Sequence, residues 1–511
     1  MIYSLQDINP KVYEGDMIFM YGDESAERVL PLGKREVELV KRRRSGEWGA
    51  GSDEWGVMSD EGKDFVVAFD RLPSRLYFVS FDSERKGAEV QERLRLLAAE
   101  VLKMLERDGV KEVALCGEGT LPEEVAAMVE GLTLADYSFD RYKTKERYHL
   151  ERLAVSKVFF SEEELESQRR LWNRIFWCRE WVNMPVADLN AERFADELEA
   201  VARDLEGVRC TVMDRKKIES LRMGGLLGVN KGSVDEPRFV VLEYDGCAGA
   251  EGRAGGQPER GRRPAGAAAE RPIVLVGKGV MYDTGGLNIK PDDYMQEMKS
   301  DMAGAATMAS VVFAAADNRL PVRVVALLPL TDNRPGGNAY AADDILTMYD
   351  GTTVEVVNTD AEGRLILADA IAYGVKNYNP RVIIDAATLT GAAVRAISTF
   401  GIAAMQTNAE RELELLKIVG EEVHERLVEF PMWKEYDELI RSEYADLRNC
   451  GTTPQAGTIT AGKFLAHFAK DVPYVHLDIA GVAYFTKAQG YYRAGASGYG
   501  MRLLYGFLQM Q

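Results

Sequence analysis

The sequence predicts an α/β protein of two domains, an N-terminal α/β domain and a larger C-terminal one. Three observations point there. At 511 residues the chain exceeds what a single hydrophobic core usually serves. Apolar strand-like runs alternate with helical periodicity in both halves. Between the halves lies one long amphipathic segment with a helix start signal and a closing proline. The boundaries read as 1–160 for the first domain, 161–185 for the connecting helix and 186–511 for the second domain.

In the first domain, LYFVSF (76–81) and VKEVALCG (110–117) read as strands. The intervening AEVQERLRLLAAEVLKML places Val90, Leu94, Leu97, Val101 and Leu105 at three- and four-residue steps, a helix with one apolar stripe. A strand–helix–strand unit of this length suggests a mixed or parallel sheet. The connecting segment opens on Ser161 and Glu164, a capping box, and carries the stripe Leu171, Ile175, Cys178 and Val182 before Pro185 closes it. In the second domain RFVVLEY (238–244), IVLVG (273–277), VRVVALLPL (322–330), RVIIDAATL (381–389) and YVHLDIAG (474–481) are strand-like. The Gly/Ala/Arg-rich stretch 247–271 cannot bury enough apolar surface to fold and is expected to be a disordered loop insertion.

Composition narrows the chemistry. The net charge of −18 repels phosphate backbones and anionic membranes, so nucleic acid is disfavoured as a partner. KRRRSGEWG (41–49) is the only compact basic run in the first domain against that background. No apolar run is long enough to span a bilayer, and the N-terminus lacks a basic leader with an apolar core; the expected location is cytoplasmic. Five scattered cysteines, none in a CxxC pair, read as free buried thiols. With four histidines and no HExxH, any metal would be held mostly by carboxylates.

Two stretches concentrate the candidates. In NTDAEGRL (358–365), Asp360, Glu362 and Arg364 stand two apart, so an extended segment would put all three on one face. Paired carboxylates repel, and a divalent cation removes the repulsion; a solvated acidic turn is the other reading of the same letters. Gly363 lets the backbone approach another group closely. Upstream, VGKGVMYDTGGLNIKPDDYMQEMKSDMAGAA (276–306) holds Lys278 just past the strand IVLVG, Asp283 before a Thr-Gly-Gly turn, Lys290, and Asp301 before a small-residue helix. The carboxyl end of a buried strand is where α/β proteins place their sites.

These segments, with DAATLTGA (385–392), LDIAG (477–481) and GASGYGMRLL (495–504), resemble the signatures of the leucyl aminopeptidase family, two-metal cytosolic exopeptidases. The resemblance spans 186–511 and implies a catalytic domain with a central mixed β-sheet flanked by helices. It also implies a site. Asp283 and Glu362 would bridge two divalent ions, Zn²⁺ or Mn²⁺; Asp360 would bind one ion, and Lys278 and Asp301 would complete the other. Lys278 must then be neutral, which desolvation and adjacent cations favour. Lys290 would stabilise the oxyanion, and Arg364 would hold a bicarbonate ion that serves as general base. Met298 would line the pocket for the first side chain, suiting Leu or other apolar residues. The implied substrates are short peptides, the implied role is intracellular peptide turnover and the implied assembly is a homohexamer. The chain departs from the family at Thr284 (commonly Ser), at Ala303 in DMAGAA, and at NAYAADD (338–344).

Overall fold

The computed structural model describes residues 1–22, 31–44, 56–58, 64–71, 74–82, 87–247, 271–451 and 453–511. The loop expected at 247–271, apart from its two end residues, and positions 45–49 of the basic run lie outside the described residues. The chain divides into two compact units, Met1–Trp172 with Thr486–Ala494, and Asn173–Phe485 with Gly495–Gln511. The division falls inside the helix Glu162–Asn183, and residues 486–494 return to the first unit from far along the chain.

In the first unit, the described strands form one sheet in the order Ile2–Gln6, Arg152–Ser156, Glu112–Glu118, Met17–Tyr21, Ser74–Ser80, Phe65–Arg71, Gly56–Met58. The first five run parallel, and Phe65–Arg71 is antiparallel to both of its neighbours, Ser74–Ser80 and Gly56–Met58. The helix Ala88–Asp108 buries the stripe that its spacing predicts, and Gly109 ends it in the left-handed region with its N–H on Glu106 O and Leu105 O. The returning segment is fastened by Tyr491 Oη donating to Glu92 Oε2 at 3.0 Å and Arg493 Nε donating to Ala135 O at 2.8 Å. At the start of Glu162–Asn183, the Ser161 N–H donates to Glu164 Oε2 while the Glu164 N–H donates to Ser161 Oγ, the reciprocal cap read from the sequence.

The second unit is built on a mixed sheet. Its order is Leu427–Glu429, Ile402–Thr407, Tyr474–Asp478, Val382–Ala387, Ile273–Gly277, Arg323–Asn333, Arg238–Asp245, Val208–Met213, with Gly279–Asp283 pairing onto the far end of Arg323–Asn333. The middle strands Tyr474–Asp478, Val382–Ala387, Ile273–Gly277 and Arg323–Asn333 are mutually parallel. Both faces are covered, so these strands read as continuous apolar runs rather than alternating ones. Val274, Val276, Val325 and Leu327 pack with the helix Gly363–Tyr378 in one cluster. The helix Ala303–Asp317, whose small side chains are almost all buried, packs on the same strands. Helices therefore flank the sheet, as the sequence led us to expect.

All five cysteines are free; Cys116 and Cys178 are buried, Cys210 and Cys450 half-buried and Cys247 exposed, so the expectation of buried thiols holds for two of them. Among the described residues no helix is long and apolar enough to cross a membrane.

A polar row runs inside this apolar sheet. Tyr474 Oη donates to Asp385 Oδ2, and His476 Nδ1 pairs with Asp385 Oδ1 at 2.7 Å, with His476 and Asp385 fully buried. Burial pulls the imidazole down, but the adjacent Asp385 charge and hydrogen bond outweigh it and hold His476 above its ordinary value. A base raised in the folded state stabilises the fold below its unfolded pKa, and that contribution fades as the pH rises through the folded pKa. His476→Gln should therefore cost most near about pH 6 and less toward about pH 9. Melting temperatures of the two proteins across that range check this; a gap that stays constant would refute it.

Candidate functional site

Parallel strands end together at one edge of the second sheet, and the chemistry collects there. Lys278 follows Ile273–Gly277, Thr388 follows Val382–Ala387, Asp283 ends Gly279–Asp283 and Asn333 ends Arg323–Asn333. The buried Lys278 reaches Asp301 Oδ1 at 2.7 Å, Thr388 O at 2.8 Å and Glu362 Oε1 at 2.9 Å. Lys290 Nζ lies 2.8 Å from Asp283 Oδ2 and 2.6 Å from Asp360 Oδ1. Ligand atoms of Asp283, Asp301 and Glu362, all buried, lie within 4.8 Å of one another. The structure thus gathers Lys278, Asp283, Lys290, Asp301, Asp360 and Glu362 from separate elements into one cluster. Arg364 lies two residues beyond Glu362; its Nη1 donates to Asn449 O at 2.9 Å, and its buried Nε has no hydrogen-bond partner among the described residues. Met298 sits half-buried in the turn Met298–Ser300 that leads into Asp301.

NTDAEGRL is not extended. Asp360 lies in a turn fixed by its own N–H donating to Asn358 Oδ1 at 2.8 Å, Glu362 has helical backbone angles, and Arg364 is inside the helix Gly363–Tyr378. Local side-chain bonding to the backbone wins over a strand here, because the side chains of Asn358 and Asn449 take up the backbone groups that a strand partner would have paired. The two acids enter the cluster by a turn into a helix start, and Arg364 points from the first helical turn to Asn449.

The electrostatics are those of a site short of positive charge. Four carboxylates face two ammoniums in a largely buried volume. Burial first, then the charges of Asp283 and Glu362, push Asp301 up to about 8, against the pull of Lys278, and Asp360 up to about 7. For Lys278 burial lowers the pKa, as the sequence reading assumed. The charges of Asp301, Glu362 and Asp283 outweigh it and keep the amine an ammonium well above the usual lysine range. The neutral amine expected from the sequence was conditional on adjacent cations; without them Lys278 is the counter-ion of Asp301 and Glu362. Among the described residues, buried Asp301 Oδ2 and Glu362 Oε2 have no hydrogen-bond partner. Buried carboxylate oxygens without donors are costly unless a cation meets them. Oxygen donors with one amine suit a hard or borderline divalent ion, so the residues present fit a metal centre.

Comparison with known proteins agrees. The catalytic-domain profile of the cytosol aminopeptidase family matches residues 176–505, and the family's N-terminal-domain profile matches residues 65–146. The chain belongs to the cytosol aminopeptidase family. A probable cytosol aminopeptidase of Geobacter sulfurreducens is 40% identical over 452 residues, covering 86% of each chain. One from Chlorobaculum tepidum is 44% identical over 405 residues, covering 76% of each. Among solved structures, the bottromycin maturation enzyme BotP in complex with Mn is similar at 27% identity with a TM-score of 0.79, covering 97% of this chain and 99% of the other. The resemblance read from the motifs is borne out, and the protein is an enzyme, a hydrolase of peptide bonds.

Several groups that shape this aminopeptidase site escape sequence reasoning. Asn333 Nδ2 donates to Asp283 Oδ1 at 2.9 Å and to Thr359 O at 3.0 Å, orienting the acid. Thr388 donates its hydroxyl to Asp301 Oδ1 at 2.7 Å and its carbonyl accepts from Lys278. Nothing in LLPLTDN marks Asn333, whereas Thr388 sits in a quoted signature whose role its letters do not reveal. Thr284 keeps a hydroxyl where the family commonly has Ser, donating to Asn333 O at 2.8 Å. Gly285 adopts φ +85, which explains a glycine after it.

Gly363 is set by space. A Cβ there would lie 2.4 Å from Lys278 Cε, and the lysine is ion-paired on two sides and cannot give way. Gly363→Ala gains about 1 kcal/mol of helix propensity but meets an overpacking cost of about 1–3 kcal/mol. The variant is expected to melt no higher than the parent and to lose aminopeptidase activity by at least roughly tenfold, since a small misplacement of a site group costs that much or more. A more stable, fully active Gly363→Ala would contradict this packing.

Proposed function

We propose that this cytosol aminopeptidase releases the N-terminal residue, Leu or another apolar one, from short peptides with the help of two divalent ions. Lys278, Asp283, Asp301, Asp360 and Glu362 would hold them, and Zn²⁺ or Mn²⁺ suits the donor set. The observation that carries the reading is the buried cluster of acids in which, among the described residues, Asp301 Oδ2 and Glu362 Oε2 have no donor. Bound there, a pair of divalent ions would polarise the scissile carbonyl and bring a water molecule's pKa near neutrality.

The chain's own groups do the rest. Lys290 is an ammonium on a flexible stem, tethered to Asp283 and Asp360, and would turn toward the carbonyl oxygen as negative charge develops on it. Arg364 has a planar fork whose Nε has no partner among the described residues, so it would hold a carboxylate-like anion such as bicarbonate, which would supply a general base there. Met298 offers a pliable apolar wall for the first side chain. A homohexamer working in cytoplasmic peptide turnover completes the proposal and rests on family membership.

Dialysis against a chelator should abolish hydrolysis of leucyl amides, and Mn²⁺ or Zn²⁺ should restore it. Metal-loaded protein that leaves a full panel of aminoacyl amides and dipeptides intact would overturn the proposal. Lys290→Ala should lower kcat roughly 100-fold or more, with a much smaller change in KM, because the lost interaction belongs to the transition state. Steady-state kinetics on leucyl amide separates the two, and an unchanged kcat would remove Lys290 from the chemistry.

A further inference from the structure

We propose that Asp478 is a positioning residue for the metal-binding cluster, acting through the turn 388–390. Asp478 is the last residue of the strand Tyr474–Asp478 and is buried. Its Oδ1 accepts the N–H groups of Leu389 at 3.2 Å, Thr390 at 3.4 Å and Ala480 at 3.2 Å. Its Oδ2 accepts the Thr390 hydroxyl at 2.7 Å. Both oxygens are thus occupied by donors from the chain, so Asp478 does not belong to the donor set of the cluster. What it grips does reach that set. Thr388, next in the chain to Leu389, gives its carbonyl to Lys278 Nζ and its hydroxyl to Asp301 Oδ1.

A buried carboxylate is an expensive way to tie a loop, since burial alone pushes the group toward its neutral form. Its return is stiffness: hydrogen bonds to an ionised acceptor are roughly twice as strong as those to a neutral one. Glu425 shows what a merely structural version looks like. It is also buried and accepts the N–H groups of Gly500 and Leu503, at the start of the helix Met501–Gln509. Asp478 differs in that its loop is one residue from two cluster contacts. Groups that orient metal ligands from behind typically contribute 10–100-fold to metal affinity.

This inference rests on the metal-dependent reading above, and its test is chosen to separate the two. Chelator-treated full-length protein is titrated with Mn²⁺ by calorimetry, and melting temperatures are recorded alongside. Asp478→Ala should weaken Mn²⁺ binding by about tenfold or more. Most of the affinity should return in Asp478→Asn, whose amide oxygen can still accept the three N–H groups. Tyr474→Phe removes a buried hydroxyl from the same strand without touching the 388–390 turn; it should lower the melting temperature and leave Mn²⁺ affinity unchanged. Should Asp478→Ala fail to fold, Thr390→Val cuts one of the links with the carboxylate in place and should weaken Mn²⁺ binding in the same direction. Mn²⁺ affinity unchanged in the folded Asp478→Ala or Thr390→Val variant, whatever the melting temperature, overturns the proposal. If the unaltered protein takes up no Mn²⁺ or Zn²⁺, the metal reading itself falls, and this one with it.

Discussion

An excess of buried negative charge governs this molecule. Asp283, Asp301, Asp360 and Glu362 converge on a largely buried cluster, where Lys278 and Lys290 pair with them. Removing a carboxylate from water costs several kcal/mol even after relaxation, so the arrangement persists only because surrounding elements over-determine it. The consequence is a set of oxygens turned inward, two of them without donors among the described residues, in the place where parallel strands end. A cation is the physical complement of such a cavity, and a hydrolase that needs an activated water has a use for it.

The fold supplies the rigidity that this excess demands. Strands buried on both faces cannot shift register without exposing apolar side chains or orphaning backbone groups. Their ends are therefore fixed points, from which Lys278, Asp283 and Thr388 extend over short distances. The helix Ala303–Asp317 approaches closely because its side chains are small, which brings Asp301 up to the strand ends. Gly363 leaves room for the lysine stem at the start of the opposite helix. Around these, the side chains of Asn288, Asn333, Asn358 and Asn449 hydrogen-bond the backbone of the turn 357–360, so the acids are held by polar contacts as well as by packing.

Lys278 illustrates why the chemistry of a site is a property of its assembly. Burial favours the neutral amine, and the sequence reading joined to it the cations that would lie alongside. The acids beside it reverse the sign, because a charge at hydrogen-bond distance in a dry interior outweighs the lost hydration. The same residue can be counter-ion or electron-pair donor, depending on whether a cation shares its acids.

The sequence by itself determined the elements and the cast. Apolar runs, a three-to-four-residue stripe, the Ser161–Glu164 cap and the signature segments gave strands, helices and the acids and lysines in their order along the chain, because these are local properties of spacing and side-chain type. Only the tertiary structure decided the rest. It made NTDAEGRL a turn into a helix instead of a strand, since Asn358 and Asn449 satisfy that backbone from the side. It returned residues 486–494 to the first unit through Tyr491 and Arg493. It also brought Asn333, Thr388 and Asp478 behind the cluster. Those contacts join residues far apart in the chain, and no local pattern encodes a distance that exists only after the strands have stacked side by side.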